Sequence, residues 1–91
     1  MIEIDKDRLK EFKDSEIVDV REKEEYYQYN VGGRSIPAHE LNHYLTELEQ
    51  EEKLLILCSN GMRSSIMARV LQKKLPNTPI YHLSSGIIEE D

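Results

Sequence analysis

Cys58, Gly61, Arg63 and Ser64 lie within one short stretch, Cys58-Ser59-Asn60-Gly61-Met62-Arg63-Ser64-Ser65, and together they could do nucleophilic chemistry. A thiol attacks only as its thiolate, and a free cysteine titrates at about 8.5. Backbone N–H groups, a helix N-terminus and an arginine each favour the thiolate, and placed together they lower that value by roughly one to several units. A loop running from Ser59 through Asn60, Gly61, Met62 and Arg63 to Ser64 can turn its amides toward a single point. It would form a cup for an anion, with the Cys58 sulfur at its floor. Two plainer readings exist: a lone cysteine often serves as a small buried hydrophobe, and such a loop can hold phosphate or sulfate without reacting.

The elements that must position this stretch are legible on either side. Leu54-Leu55-Ile56-Leu57 is an unbroken aliphatic run, the pattern of a parallel strand covered on both faces, and Cys58 follows its end. After a five-residue turn, Ser64 is a good N-cap for a helix whose Ile66, Met67, Val70, Leu71 and Leu75 share one face. Pro76 stops that helix. Met1 to Ile4 reads as an edge strand, and Asp5 caps a helix to about Lys13 with Leu9 and Phe12 inward. Glu16 to Val20 is a second strand, and Arg21 to Glu25 leads into a short helix reaching Tyr29. Asn30 to Gly33 turns the chain and Ser35-Ile36-Pro37 is briefly extended. Ala38 to Gln50, with Leu41, Tyr44, Leu45 and Leu48 on one face, is expected to be one helix. Asn77-Thr78-Pro79 turns into a last strand, Ile80 to Leu83. This alternation predicts an α/β fold with a mostly parallel sheet.

Composition bounds the rest. Ninety-one residues are expected to make one domain, residues 1–91, that buries about 60–65% of its unfolded surface. Hydrophobic residues at 38% and charged ones at 33% are the balance of a soluble globular chain. No apolar run approaches the roughly 20 residues that span a bilayer, and Glu3, Asp5 and Asp7 interrupt any leader-like start. A net charge of −6 argues against nucleic-acid or anionic-membrane binding. One cysteine cannot form an internal disulfide, so a reducing cytoplasm is the expected compartment. Nothing demands more than a monomer.

The segments together resemble the rhodanese-like family. Cys58, Gly61, Arg63 and Ser64 fit its C-x-x-G-x-R-S loop; Asp19-Val20-Arg21-Glu22 and Glu24-Glu25-Tyr26 resemble its D-V-R-E and E-E-[YF] segments. Asn30 to Pro37 resembles its "N-I-G-G-x-x-I-P" variant, and Ile80 to Gly86 its closing "V-Y-x-L-x-G-G". The resemblance implies a five-stranded, mostly parallel sheet flanked by helices on both faces. It also implies a sulfurtransferase that forms a Cys58 persulfide, with a scaffold role for Asp19 and Arg21. A phosphatase-type C-x5-R loop places arginine six residues after cysteine; here the interval is five, which disfavours a small phosphatase or arsenate reductase. The family's first closing glycine is Ser85 here, its usual tryptophan falls at Glu90, and its final helix is largely missing, so a truncated C-terminal end is expected.

The reading that follows is a sulfurtransferase moving a sulfane sulfur from thiosulfate or a protein persulfide to a thiol or cyanide. Its alternative is a weakly catalytic sulfur-carrier or protein-binding module. No metal or organic cofactor is implied. Arg63 either supplies charge to the bound sulfur or turns outward to a carboxylate. Arg21 is expected to pair within the Arg21–Glu25 segment, with bracing of the loop as the other option. His39 and His43 are expected on a solvated face. His82 could be a general base toward Cys58, but no third group to orient it is visible, and a half-buried strand histidine is expected.

Overall fold

The structure is a computed structural model that describes residues 1–88. Five parallel strands, β1 (Ile2–Ile4), β2 (Ile17–Asp19), β3 (Arg34–Ser35), β4 (Leu54–Leu57) and β5 (Ile80–Leu83), form one sheet in the order β1-β5-β4-β2-β3. The unbroken aliphatic run is the central strand, and all four of its residues are wholly buried. Strand alternation divides them: Leu54 and Ile56 join a core with Val18, Leu41, Leu48, Ala68 and Leu71, while Leu55 and Leu57 join Ile4, Phe12, Leu83 and Ile87 on the other face. Truncating one of these leucines to alanine typically costs 2–5 kcal/mol.

Three α-helices, α1 (Lys23–Gln28), α2 (Leu45–Glu49) and α3 (Met62–Lys74), and several 3-10 turns cover the sheet. The Asp5-capped segment is a 3-10 helix, Lys6–Glu11, in which Asp5 accepts from the Asp7 N–H. The expected single helix from Ala38 to Gln50 is divided into a 3-10 helix, Ala38–Tyr44, and α2.

Two expectations for α3 are corrected. The helix begins at Met62, with Gly61 as its N-cap at φ +90, and Ser64 lies inside the first turn. Its buried face is Ser64, Ala68 and Leu71, with Leu75 as the buried C-cap residue, and Ile66 is exposed. Small residues face inward where the helix start sits close over the end of β4, since Ser64 and Ala68 have no exposed surface at all. His39 and His43 are exposed as expected. Among the described residues, no helix is long and apolar enough to cross a membrane. Glu90, where the family's tryptophan would fall, lies outside the described residues.

Candidate active site

The alternation that sends Leu54 and Ile56 toward α3 sends Cys58 there too. Its Sγ accepts from the N–H of Gly61 at 3.2 Å and of Ser64 at 3.3 Å, and the nearby Ser64 hydroxyl also favours the thiolate. Burial by itself pushes this thiol up. The Ser64 hydroxyl and the amides of Ser64, Gly61 and Asn60 outweigh it, so the net displacement is below the ordinary thiol value. Two of the loop's amides, those of Gly61 and Ser64, therefore point at the sulfur.

The expected open cup is closed. Cys58 has no exposed surface. The amides close directly on the sulfur, and the segment after β5 packs on the loop from outside: Ile87 N–H donates to the Cys58 carbonyl at 3.1 Å and Ile88 N–H to the Ser59 carbonyl at 2.9 Å. Met62 stays exposed at the rim, and the Asn60 side chain accepts from the Met62 N–H.

Arg63 takes the outward option. Its guanidinium grips Glu25 of α1 through two bonds of 2.8 and 2.9 Å and reaches the Ser59 hydroxyl at 3.3 Å. That guanidinium holds the Glu25 carboxyl down at about 2. The pair is partly solvated, so it contributes less than about 1 kcal/mol to folding. What it does locally is fasten the active loop to α1.

The partner expected for Arg21 is corrected. It is Asp19, not a residue of the Arg21–Glu25 segment. Two Nε bonds of 3.0 and 3.2 Å and an Nη2 bond of 2.8 Å join them, and both are buried. Nη2 also donates to the Tyr29 carbonyl at the end of α1. Asp19 pairs with Leu57 in register, next to Cys58. The pair thus fixes both the strand beside the cysteine and the helix that holds Arg63.

The expectation of a half-buried His82 with no group to orient it is corrected: it is 3% exposed and has such a group. Alternation on β5 puts Ile80 and His82 on the α3 face, and parallel pairing aligns Glu3 of β1 with His82. Nδ1 lies 2.7 Å from Glu3 Oε1 and Nε2 lies 2.7 Å from Ser64 Oγ, with the ring buried. The orienting third group, absent from the sequence reading, is Glu3. Recognising it needed the register of the first strand against the last.

The lowered thiol has a measurable sign. A group whose folded value lies below its unfolded one adds stability above the unfolded value, and that stability is lost as pH falls through the folded value. The wild type is therefore expected to gain stability relative to Cys58→Ser as pH rises through the folded value, levelling off above about 8.5, read by thermal unfolding at several pH values. A difference that stays flat with pH, together with no thiolate absorbance below about 8.5, would show that the loop does not favour the thiolate.

No solved structure matches the chain at a meaningful level. A stretch of 59 residues, 64% of the chain, is 37% identical to a Bacillus subtilis (strain 168) protein named "Putative sulfur carrier protein YrkF". The match covers 32% of that relative, so the chain spans about a third of its length. Residues 5–89, which include the amide-ringed loop and all but the first strand of the sheet, match the Rhodanese-like domain family, and by that extent of agreement the chain belongs to it.

Proposed function

We propose that this chain carries sulfane sulfur as a Cys58 persulfide and hands it to an acceptor thiol. The observation that supports the reading most directly is the convergence of the Gly61 N–H and the Ser64 N–H on one sulfur atom at the head of α3. In the first step the Cys58 thiolate attacks the outer sulfur of a donor persulfide, R–S–SH. The Cys58 S–S bond forms, the donor S–S bond breaks, and the donor leaves as R–S⁻. In the second step an acceptor thiolate attacks the outer sulfur of the Cys58 persulfide and regenerates the Cys58 thiolate. With thiosulfate the leaving group is sulfite, and the charges balance in the same way. The loop amides of Gly61 and Ser64 stabilise the anion at each stage.

Two features favour carriage between proteins over turnover of free thiosulfate. Arg63 is engaged by Glu25 instead of facing a dianion, and the net charge of −6 repels small anions. The named relative, a sulfur carrier by its title, agrees with this weighting. The enclosed sulfur adds a requirement: the loop must part from the 84–88 segment before a donor can reach Sγ. A protein partner that engages the rim can supply the energy for that opening from its own binding. The lone cysteine suits a reducing cytoplasm.

Incubation with a low-molecular-weight hydropersulfide, followed by intact-mass measurement, tests the reading. The expected result is a gain of one sulfur atom by the wild type and none by Cys58→Ser, with the sulfur released on adding a thiol. No gain by folded wild-type protein, or an equal gain by Cys58→Ser, would overturn it. Release of phosphate from an aryl phosphate would favour the phosphatase reading.

A further inference from the structure

The Ser64 side chain stands beside Cys58 with its Oγ 2.7 Å from His82 Nε2. A serine hydroxyl carries one proton. If it donates to Sγ, as it does when Cys58 is a thiolate, then it must accept from His82 Nε2–H. His82 Nδ1 lies against a carboxylate oxygen of Glu3, which accepts when ionised, so Nδ1 carries a proton as well. A thiolate at Cys58 thus goes with an imidazolium at His82. The converse arrangement is equally complete. A thiol S–H donates to Ser64 Oγ, the Ser64 hydroxyl donates to Nε2, and Nδ1–H still donates to Glu3.

The two arrangements differ by two proton shifts along S···O···N, the second across the 2.7 Å between Ser64 Oγ and His82 Nε2. Both have the same total charge: one carboxylate alone, or a carboxylate, an imidazolium and a thiolate. We infer that Glu3, His82 and Ser64 form a proton relay in which His82 stores the proton that Cys58 gives up on becoming a thiolate. Cys58 has no exposed surface, so water has no direct path to its proton. The relay provides one. Glu3 is about half exposed, and it lines an open hollow of about 430 Å³ together with His82, Asn60 and Ser65.

The groups facing His82 are few. β1 contributes Glu3; β4 contributes the apolar Ile56 in register and Cys58 beyond it; α3 contributes Ser64. Arg63 directs its guanidinium away to Glu25. Among the described residues lining the hollow, Glu3 and His82 are the only ionisable ones. The same three side chains would suit a serine hydrolase, but Ser64 is fully buried with the sulfur behind it, so no substrate carbonyl can reach its Oγ. Ser64 and His82 are positioning residues that act through Cys58.

The inference rests on Cys58 being the sulfur-bearing nucleophile, and its test is separable from that reading. The imidazole ¹³C and ¹⁵N resonances of His82 at neutral pH are expected to show a more protonated ring in the wild type than in Cys58→Ser. In His82→Gln, whose amide can still bond Ser64, thiolate absorbance is expected to show Cys58 about tenfold weaker as an acid, the factor one charged hydrogen bond supplies. A purely structural histidine would move neither signal. Identical ring spectra in wild type and Cys58→Ser would overturn the relay, and that comparison decides the matter even where His82→Gln fails to fold. Sulfur uptake with an uncoupled ring sinks the relay and leaves the carrier; a coupled ring without uptake does the reverse.

Discussion

Asp19→Ala is expected to lose about 3–5 kcal/mol of folding stability, because it removes one partner of a buried ion pair and leaves the other charge behind. Arg21 is 2% exposed, and without Asp19 its guanidinium would keep only the Tyr29 carbonyl among the partners described above. A domain this small is held by only about 5–15 kcal/mol, and each kcal/mol lost lowers its melting temperature by about 4–8 °C. Urea unfolding of Asp19→Ala, Arg21→Met and the double variant measures the coupling directly. The double variant is expected to recover most of the loss, since two apolar groups of similar volume can replace a buried pair at little cost. A loss below about 1 kcal/mol in Asp19→Ala would show that the pair is not a brace. In that case the placement of α1, and of Glu25 on Arg63, must come from elsewhere.

What the sequence made legible follows from where burial is one-dimensional. Leu54 to Leu57 is apolar without alternation, and only a strand covered on both faces accommodates that, so the cysteine's place at the end of a central strand was readable. The 38–50 segment was less so. Leu41 and Tyr44, like Leu45 and Leu48, are three residues apart, a spacing that a 3-10 turn and an α-helix both satisfy. On α3 the large aliphatic side chains marked only part of the stripe: Leu71 and Leu75 are buried and Met67 packs against the core, while Ile66 is exposed. The inward positions nearest the loop are Ser64 and Ala68, chosen by the close approach of helix to sheet and not by hydrophobicity. Ser64 looked like a cap because its type suits one. Gly61 at φ +90 starts the helix earlier, which releases the serine hydroxyl for the sulfur and for His82. Glu3 and His82 are 79 positions apart, and nothing local joins them. Their contact exists because the first and last strands pair in parallel, a fact about the whole sheet.

Gly61→Ala and Gly86→Ala are expected to be the substitutions outside Cys58 that most disturb the thiol. Gly61 sits at φ +90 and a Cβ there would lie 2.1 Å from the Ser84 carbonyl oxygen; Gly86 sits at φ +74 and its Cβ would lie 2.1 Å from the Ser59 carbonyl oxygen. The two contacts are reciprocal, each glycine lying against backbone of the other's segment. Together they press the 84–86 turn onto the loop that rings Sγ. A left-handed residue other than glycine costs about 1–2 kcal/mol, and overpacking against backbone adds typically 1–3 kcal/mol. Each variant is therefore expected to lose about 2–5 kcal/mol on those two counts. It should also lift the amides off the sulfur, so that Cys58 titrates closer to an ordinary thiol. Gly32→Ala separates the two effects. That glycine also has φ +90, but its Cβ would meet only the Asp14 side chain, which can swing away. It is expected to cost about 1–2 kcal/mol and to leave the thiol where it is. Thiolate absorbance against pH, with thermal unfolding on the same three variants, reads both quantities. If Gly86→Ala destabilises the fold and Cys58 still ionises as in the wild type, then the turn after β5 only covers the loop and the donors hold the sulfur without it.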